Sequence, residues 1–433
     1  MTPIAKLSSS TDKEPLITTI KERCRVCYTC VRECPAKAIR IFEGQAEVIP
    51  DRCIGCGNCV HVCSQRAKHV LLCIDKVNNL LKSDEKVSAC VAPSFPAEFS
   101  DINYQEFVGM IRALGFDYVH EVAFGADIVA QKYHELINAN KHQQYISANC
   151  PAIIEYICRY HPNLVNSLAP IVSPMLGTAR AIRKLLGDDL RIVFIGPCLA
   201  KKKERDPAKP FYEIDAVITF IELRQMFAEQ GISSKNIIAS DFDEPHGHMG
   251  SLFPISRGML KAACVSDDAI QGKVVAADGK RDFIEAIKEY ETGDLNVGLL
   301  EILCCNGCIM GPGIKNDRPL FRRRSHVINY VKSHKAERNL KKWEAYVEEF
   351  TELDLSRGYL ANNQCFPEPP EKKVNFILNK MGKFSINDEL NCGACGYDSC
   401  HEHAVAIHKG LAESEMCLPY SIDQLKKTLQ ELS

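Results

Sequence analysis

The sequence predicts a multidomain α/β protein: a central two-lobed region built on parallel sheets, flanked by two small cysteine-rich modules. Three observations carry that expectation. Short β-rich runs alternate with helix-like segments through the middle of the chain, eight cysteines near the start recur with one spacing, and four more gather after a proline-rich stretch near the end. The 433 residues suffice for several domains of roughly 100 to 200 residues each, and 46% apolar with 25% charged content is that of a soluble chain with a proper core. A formal net charge of -2 gives no reason to expect nucleic acid or an anionic membrane as partner. No apolar run reaches the roughly 18 residues that cross a bilayer, and Met1 to Ser10 lacks the basic start and apolar core of a signal peptide, so the expected location is the cytoplasm. In such a chain 22 cysteines point to thiolate ligands rather than disulfides.

Residues 1–20 read as a polar leader, and the first module spans 21–80. Its run Cys24-x2-Cys27-x2-Cys30-x3-Cys34-Pro35 recurs as Cys53-x2-Cys56-x2-Cys59-x3-Cys63, a repeat with a period of 29 residues. This resembles the bacterial two-cluster ferredoxins and predicts a ferredoxin-like α+β domain. In that pattern three cysteines of each run hold one 4Fe-4S cluster and the fourth reaches across to the other. Cys24, Cys27, Cys30 and Cys63 are therefore assigned to one cluster, and Cys53, Cys56, Cys59 and Cys34 to its neighbour. Zinc is the alternative, but duplicated spacing of eight cysteines matches the iron-sulfur rule and not a ribbon or finger. Ser64 replaces the second run's proline and leaves every ligand in place.

From 81 to 355 the chain changes character. Strand-like runs at 87–91, 118–122, 191–195, 216–220 and 297–303 alternate with helix-like segments such as 131–138 and 152–160, which predicts parallel sheet flanked by helices. In open α/β sheets a ligand sits beyond the carboxyl ends of the strands. Those ends carry Ser147-Ala148-Asn149-Cys150-Pro151, then Ile195-Gly196-Pro197-Cys198-Leu199-Ala200-Lys201-Lys202-Lys203-Glu204, and last Cys304-Cys305-Asn306-Gly307-Cys308 with Gly311 and Gly313 beyond. Taken alone, the last set could be a structural zinc corner.

Together the three segments resemble the signature motifs of iron-only (FeFe) hydrogenases, and Ala92-Pro93-Ser94, Phe124-Gly125-Ala126-Asp127 and Ser173-Pro174 add three more matches in the same order. The resemblance runs from the cysteine repeat to about Tyr330. It implies an H-cluster, a 4Fe-4S cubane joined through one cysteine to a two-iron unit carrying CO, cyanide and an azadithiolate bridge. Carried over, Cys150, Cys198 and Cys308 match cubane ligands, with Cys308 the bridge to the two-iron unit. Counting a Cys-x3-Cys back from Cys308 gives Cys304 as the fourth, whereas aligning on Glu301 gives Cys305, the choice favoured by likeness to the divergent, sensory-type branch. Lys201 matches the lysine that contacts an iron-bound cyanide, a use suited to a point charge with rotatable donors. Pro93, Ser94 and Pro197 match residues lining the same pocket. Lys202 and Lys203 are read as a solvated loop.

The departures bear on mechanism. Asn149 stands where relatives carry a cysteine that relays protons, and an amide cannot exchange a proton at accessible cost. The relay's glutamates have no clear counterpart in Gln131-Lys132-Tyr133-His134-Glu135; His134 and Glu135 could rebuild it or be surface polar residues. Gly196 stands in place of a methionine that packs over the two-iron unit, and Met175 in place of a glutamine. Slow turnover, or a different proton route, is the expectation. His246-Gly247-His248-Met249 could bind a metal but lies in a segment resembling the sensory-type loop near the cluster. The run Arg322-Arg323-Arg324 reads as solvated or as a dock for an acidic partner.

The segment 336–350 reads as a charged helix with Trp343, the chain's single tryptophan, on an apolar stripe. Residues 356–374, rich in proline, read as a linker, and 375–433 as a small helical 4Fe-4S domain. There Cys392-x2-Cys395-x4-Cys400 and a distant Cys417 resemble an iron-sulfur module fused to redox and corrinoid-handling proteins, with zinc the alternative. A fourth cluster beyond the hydrogenase-like core would give electrons a second exit. Of the cysteines left over, Cys73, Cys90, Cys158, Cys264 and Cys365, with Cys304 if Cys305 ligates, most are expected to pack. Ile422, Leu425, Leu429 and Leu432 make an a/d seam that fits a homodimer, a continuation into a signalling domain, or packing onto its own domain.

The resemblance implies that H2 binds and is reversibly converted to protons and electrons, slowly, as hydrogen or redox sensing. It implies a redox partner such as ferredoxin or a signalling protein, and maturation proteins that build the two-iron unit. The alternatives are an ordinary hydrogenase with a rerouted proton path, and a non-catalytic iron-sulfur electron-transfer or cluster-assembly protein.

Overall fold

The computed structural model describes residues 14–139, 143–204, 213–265, 274–337 and 339–432. Residues 1–13 of the expected leader lie outside them. The chain forms two compact units, one of residues 1–53, 58–71 and 366–433, the other of residues 54–57 and 72–365. No helix among the described residues is long and apolar enough to cross a membrane.

In the first unit, strand β1 (Ile17–Thr19) falls within the expected leader and pairs antiparallel with β4 (Lys68–Val70), with Leu16 and Ile17 buried. Between them β2 (Ile39–Phe42) and β3 (Gln45–Val48) form a hairpin whose two loop residues, Glu43 and Gly44, both take positive φ, as a tight hairpin loop requires. Two single-turn helices, Thr29–Arg32 and Asn58–His61, occupy equivalent places in the cysteine repeats. The C-terminal module is helical, as expected: helices Glu371–Lys380 and Cys400–His408 share a small core of Val374, Leu378, Met381, Ala404 and Cys417. The sequence set this module beyond the central region, apart from the cysteine repeat. It instead packs on the hairpin, where Ile41 N donates to Leu411 O at 3.0 Å.

The second unit holds two parallel sheets. Strands β5 (Val87–Val91), β6 (Tyr118–Glu121), β8 (Arg191–Gly196) and β9 (Ala216–Thr219) form one in the order β6-β5-β8-β9. Strands β7 (Tyr145–Ile146), β10 (Val274–Asp278) and β11 (Leu299–Leu303) form the other in the order β10-β11-β7. β5 and β11 are buried along their whole length, so they read as continuous apolar runs rather than alternating ones. Helix Val122–Ala139 packs across helix Pro174–Leu186, and Gly125 sets the approach: a Cβ there would overlap Thr178 Oγ1 and the Pro174 carbonyl. The carboxyl ends of β5, β7, β8 and β11 run directly into Ala92–Ser94, Ser147–Cys150, Pro197–Cys198 and Cys304–Cys308.

The charged helix expected over 336–350 is found as Leu340–Glu349, preceded by a separate helix Leu320–Glu337, and Trp343 on it donates to Asp127 Oδ2 at 3.1 Å. Within the expected linker Arg357 is buried, and helix Glu371–Lys380 begins.

Candidate metal centres

Each cysteine of the central site is delivered by a strand end with its own geometric constraint. Cys150 sits extended just before Pro151, which opens helix Pro151–Tyr160 without wasting a backbone donor. Cys198 follows β8, and the Pro197 carbonyl accepts from Gly313 N at 2.8 Å, tying its loop to the one carrying Cys308. Gly311 and Gly313 have no room for a side chain there, because a Cβ on either would lie within 2.8 Å of Pro197 O. Gly307, at φ +75, makes the turn into Cys308.

These loops bring Cys150, Cys198, Cys305 and Cys308 together. Burial pushes the Cys198 and Cys308 thiols up to about 12, and each is raised further by Cys150. Cys305 is raised well above its ordinary value by burial and then by Cys198, Cys150 and Cys308, so it faces the other three. Cys304 is buried too, but its leading partner is the Cys56 thiol, to which it is hydrogen-bonded. Such thiols give up their protons only to a metal.

Beside Cys308 lies a cavity of about 80 Å³ lined by Pro93, Ser94, Asn149, Pro197 and Lys201. Lys201 Nζ is 2.8 Å from Ser173 Oγ and 2.5 Å from Glu204 Oε2, and Arg357 grips the other Glu204 oxygen at 3.0 Å. Burial alone would raise the Glu204 carboxyl; the Lys201 and Arg357 charges bring it below its ordinary value. Ser94 Oγ and Asn149 Oδ1 are buried without a hydrogen-bond partner among the described residues. Four thiols, a lysine and the orphaned Ser94 hydroxyl around one cavity fit a cubane with an appended anionic, hydrogen-bond-accepting unit.

Two cavity residues, Phe194 and Met259, carried no weight in the sequence, and a third, Glu301, served there only to align the cysteines. Phe194 sits where its ring fills the space above Gly196: a Cβ on Gly196 would meet the ring at 2.7 Å. The wall beside Gly196 is thus supplied by an aromatic side chain two residues earlier. Met259 adds a flexible apolar wall, and Glu301, buried in the middle of β11, also faces the cavity. A carboxylate inside an otherwise apolar five-residue strand was the available signal for Glu301.

In the first unit the structure brings Cys30 together with Cys24, Cys27 and Cys63. The two crossing cysteines have matching surroundings, Cys34 Sγ accepting from Ala38 N and Cys63 Sγ from Ala67 N, both at 3.3 Å. Cys53 and Cys59 share this unit, and Cys56 lies in the second. Cys392, Cys395, Cys400 and Cys417 line one small cavity of about 20 Å³.

Other expectations change. Lys202 is not solvated; its side chain is 1% exposed and pairs with Glu222 at 2.9 Å. Arg323 is buried, donating to Ile309 O at 3.0 Å and to the Asn316 carbonyl. His134 bonds the Ala263 carbonyl at 2.9 Å and Glu135 pairs with Lys132, and neither lines the cavity. His246 and His248 line a separate cleft of about 370 Å³, and among the described residues no three His, Cys, Asp or Glu close on a single-ion position. Cys264 and Cys365 are exposed rather than packed. Ile422, Leu425, Leu429 and Leu432 on helix Leu418–Leu432 are exposed, so that seam is not packed onto its own module.

Comparison with known proteins follows the same division. Residues 85–312 match the iron only hydrogenase large subunit, C-terminal domain; residues 16–64 match a 4Fe-4S dicluster domain, and residues 388–419 an Fe-S cluster family. Iron hydrogenase 1 of Clostridium pasteurianum is 28% identical over 296 residues, 60% of this chain and 50% of that protein. The NADP-reducing hydrogenase subunit HndD of Solidesulfovibrio fructosivorans is 27% identical over 280 residues, 50% of this chain and 47% of that one. A cytosolic Fe-S cluster assembly factor, NAR1 of Yarrowia lipolytica, is 22% identical over 165 residues, 34% of each chain. The chain spans about half the length of the two curated hydrogenases it matches. A solved FeFe-hydrogenase studied for oxygen inactivation shares the fold at a TM-score of 0.56 and 20% identity, covering 68% of this chain and 100% of that one. Strand-end thiols, the lysine pocket and the match over 85–312 agree, and the chain belongs to the iron-only hydrogenase large-subunit family.

Proposed function

We propose that this protein is a hydrogenase of the divergent, sensory-type branch, converting H2 reversibly and slowly to protons and electrons at an H-cluster as a hydrogen or redox signal. The observation that carries the reading is the cavity beside Cys308, where Lys201 and the orphaned Ser94 and Asn149 polar atoms converge. Cys150, Cys198, Cys305 and Cys308 would hold the cubane, with Cys308 shared by the two-iron unit, and Cys304 is left to Cys56. When bound, the H-cluster supplies heterolytic H2 chemistry and a path for electrons. Lys201, aimed by Ser173 and the Glu204–Arg357 pair, offers a fixed cationic donor to an anionic ligand. Pro93 and Pro197 shape the wall and exclude water. Asn149 can donate or accept a hydrogen bond but cannot pass a proton on, which supports slow exchange.

Glu301 favours a second reading, an ordinary catalyst whose protons leave by another route, because a buried carboxylate at the cavity can accept one. The likeness to cluster-assembly factors supports a third, a carrier with a cubane and no two-iron unit; Lys201 and Ser94 have no evident use there. The dicluster segment and the C-terminal module would carry three further 4Fe-4S clusters to a redox or signalling partner. Maturation proteins would supply the two-iron unit, and the exposed seam of helix Leu418–Leu432 fits a homodimer.

The test is infrared spectroscopy of the anaerobic protein loaded with a synthetic two-iron precursor. Cyanide and carbonyl bands that shift with H2 and with CO are expected, with loss of all bands in Cys308→Ala. Cubane iron without such bands in the native chain would instead support the carrier.

A further inference from the structure

The C-terminal module meets the cysteine repeat through the loop that carries its own first two cysteines. Arg32 Nη2 donates to Gly393 O at 3.0 Å, and Lys37 Nζ to Gly396 O at 3.3 Å. Gly396, at φ +92, is pressed against helix Thr29–Arg32 so closely that a Cβ would lie 3.2 Å from Val31 and from Arg32 N. Farther out, Gly44 N donates to Glu413 Oε2 at 3.3 Å, and the Arg52 guanidinium lies 4.4 Å from the Phe366 ring centroid. Most of these residues are within three positions of a cysteine: Arg32 and Lys37 near Cys34, Gly393 and Gly396 beside Cys392 and Cys395, Arg52 beside Cys53 and Phe366 beside Cys365.

At the centre of the joint is Tyr397. It is 4% exposed, stacked on His403 with 5.6 Å between ring centroids, and covered by the Lys37 ammonium at 5.3 Å. Its hydroxyl is buried with no hydrogen-bond partner among the described residues. A phenol is seldom left so, because an unmet buried donor costs ~1 to 3 kcal/mol. Tyr397 lines the same cavity as Cys395, and the phenol is held up from ionising by burial and then by the neighbouring Cys395 and Cys34 thiols, one on the module and one on the repeat.

We propose that Tyr397 joins the C-terminal 4Fe-4S site to the cluster that Cys34 helps hold, its hydroxyl donating to a cluster sulfur, so that electrons enter and leave the ferredoxin-like pair through the C-terminal module. The proposal rests on the reading of both modules as cubane sites. In each transfer one reduced cubane loses an electron and the other gains it, with no bond made and no proton moved; a one-electron redox protein is the outer donor or acceptor. The C-terminal module is then an in-line terminus of one wire. Arg32 and Lys37 act as positioning residues that hold the joint shut.

Electron paramagnetic resonance of the full chain, reconstituted anaerobically and reduced stepwise, tests this. The signal absent from Cys400→Ala marks the C-terminal cluster, and in the native chain it should be broadened and fast-relaxing through a neighbouring spin. The double variant Arg32→Glu, Lys37→Glu should keep its iron and sulfide content yet lose that broadening. Tyr397→Phe should keep both and lower one cluster's midpoint potential, because hydrogen bonds to cluster sulfur favour the reduced state. Signals that sum as isolated clusters would overturn the relay while leaving the cubane reading intact, and an unmoved potential in Tyr397→Phe would remove the hydroxyl's role. Zinc in place of iron at the C-terminal thiols would overturn both.

Discussion

In the first unit the thiols sit on short loops with hydrogen-bond partners close at hand: Ala38 N and Ala67 N donate to Cys34 and Cys63, and Cys27 Sγ donates to Thr29 Oγ1 at 3.4 Å. In the second, the four central thiols follow the ends of buried or nearly buried strands, and burial drives two of them up to about 12. The difference fits the tasks proposed for the two sites. A site that passes electrons to other proteins gains from loops near the surface, whereas one that must hold a small gas and a charged ligand gains from a dry wall with few, fixed polar groups. That reading places the demand for rigidity on the second unit.

Variants that attack this rigidity should act most strongly there. Gly125→Val forces a side chain into Thr178 and the Pro174 carbonyl, and should destabilise by more than ~4 kcal/mol or prevent folding of the second unit, read by chemical denaturation. If the variant folds normally, the packing of helix Val122–Ala139 is looser than described. Arg357→Leu strips one cation from a Glu204 carboxylate that is 1% exposed and should cost ~3 to 5 kcal/mol. Arg357→Lys should recover much of it, and both are measured by urea midpoints with cyanide band positions as a local readout.

Acid should sharpen the contrast further. His120, bonded to Ser88 Oγ at 2.9 Å, is lowered by burial from 6.5 to about 4. Because its folded value is depressed, its stabilisation is complete above about 6.5 and is lost as pH falls toward 4. Metal-free protein should lose about 2 kcal/mol over that window from this group, and His120→Gln should flatten the curve. The smallest effect belongs to the first unit. Thr29 hydrogen bonds hold the Cys27 thiol below its ordinary value in the absence of a cluster, so in metal-free protein Thr29→Ala should move the pH profile of Cys27 alkylation upward with little change in stability.

Much of this was legible in the sequence because it is local. Cysteine spacing gives cluster ligands, and apolar runs ending in Pro-Cys or Cys-x-Gly-Cys give strand ends that face a ligand. What was not legible depends on distant partners. Lys202 and Arg323 look like solvated charges until Glu222 and the carbonyls of Ile309 and Asn316 are brought to them. Strand β10 escaped notice because its alanine-rich stretch is weakly β-forming and is ordered by pairing with β11. The docking of the C-terminal module rests on backbone carbonyls, which carry no side-chain signature. Phe194 filling the place above Gly196 is a trade between two positions, and neither residue announces it alone.

Asn149 gives the proposed chemistry a time scale of its own. With an amide where a proton would otherwise hop onward, whatever charge state H2 leaves in the cavity persists until a slower route clears it. For a catalyst that delay is wasted. For a detector of the proposed kind it would be memory: each encounter would outlast the gas pulse that caused it, and the occupied fraction would report a running average of hydrogen rather than its momentary level.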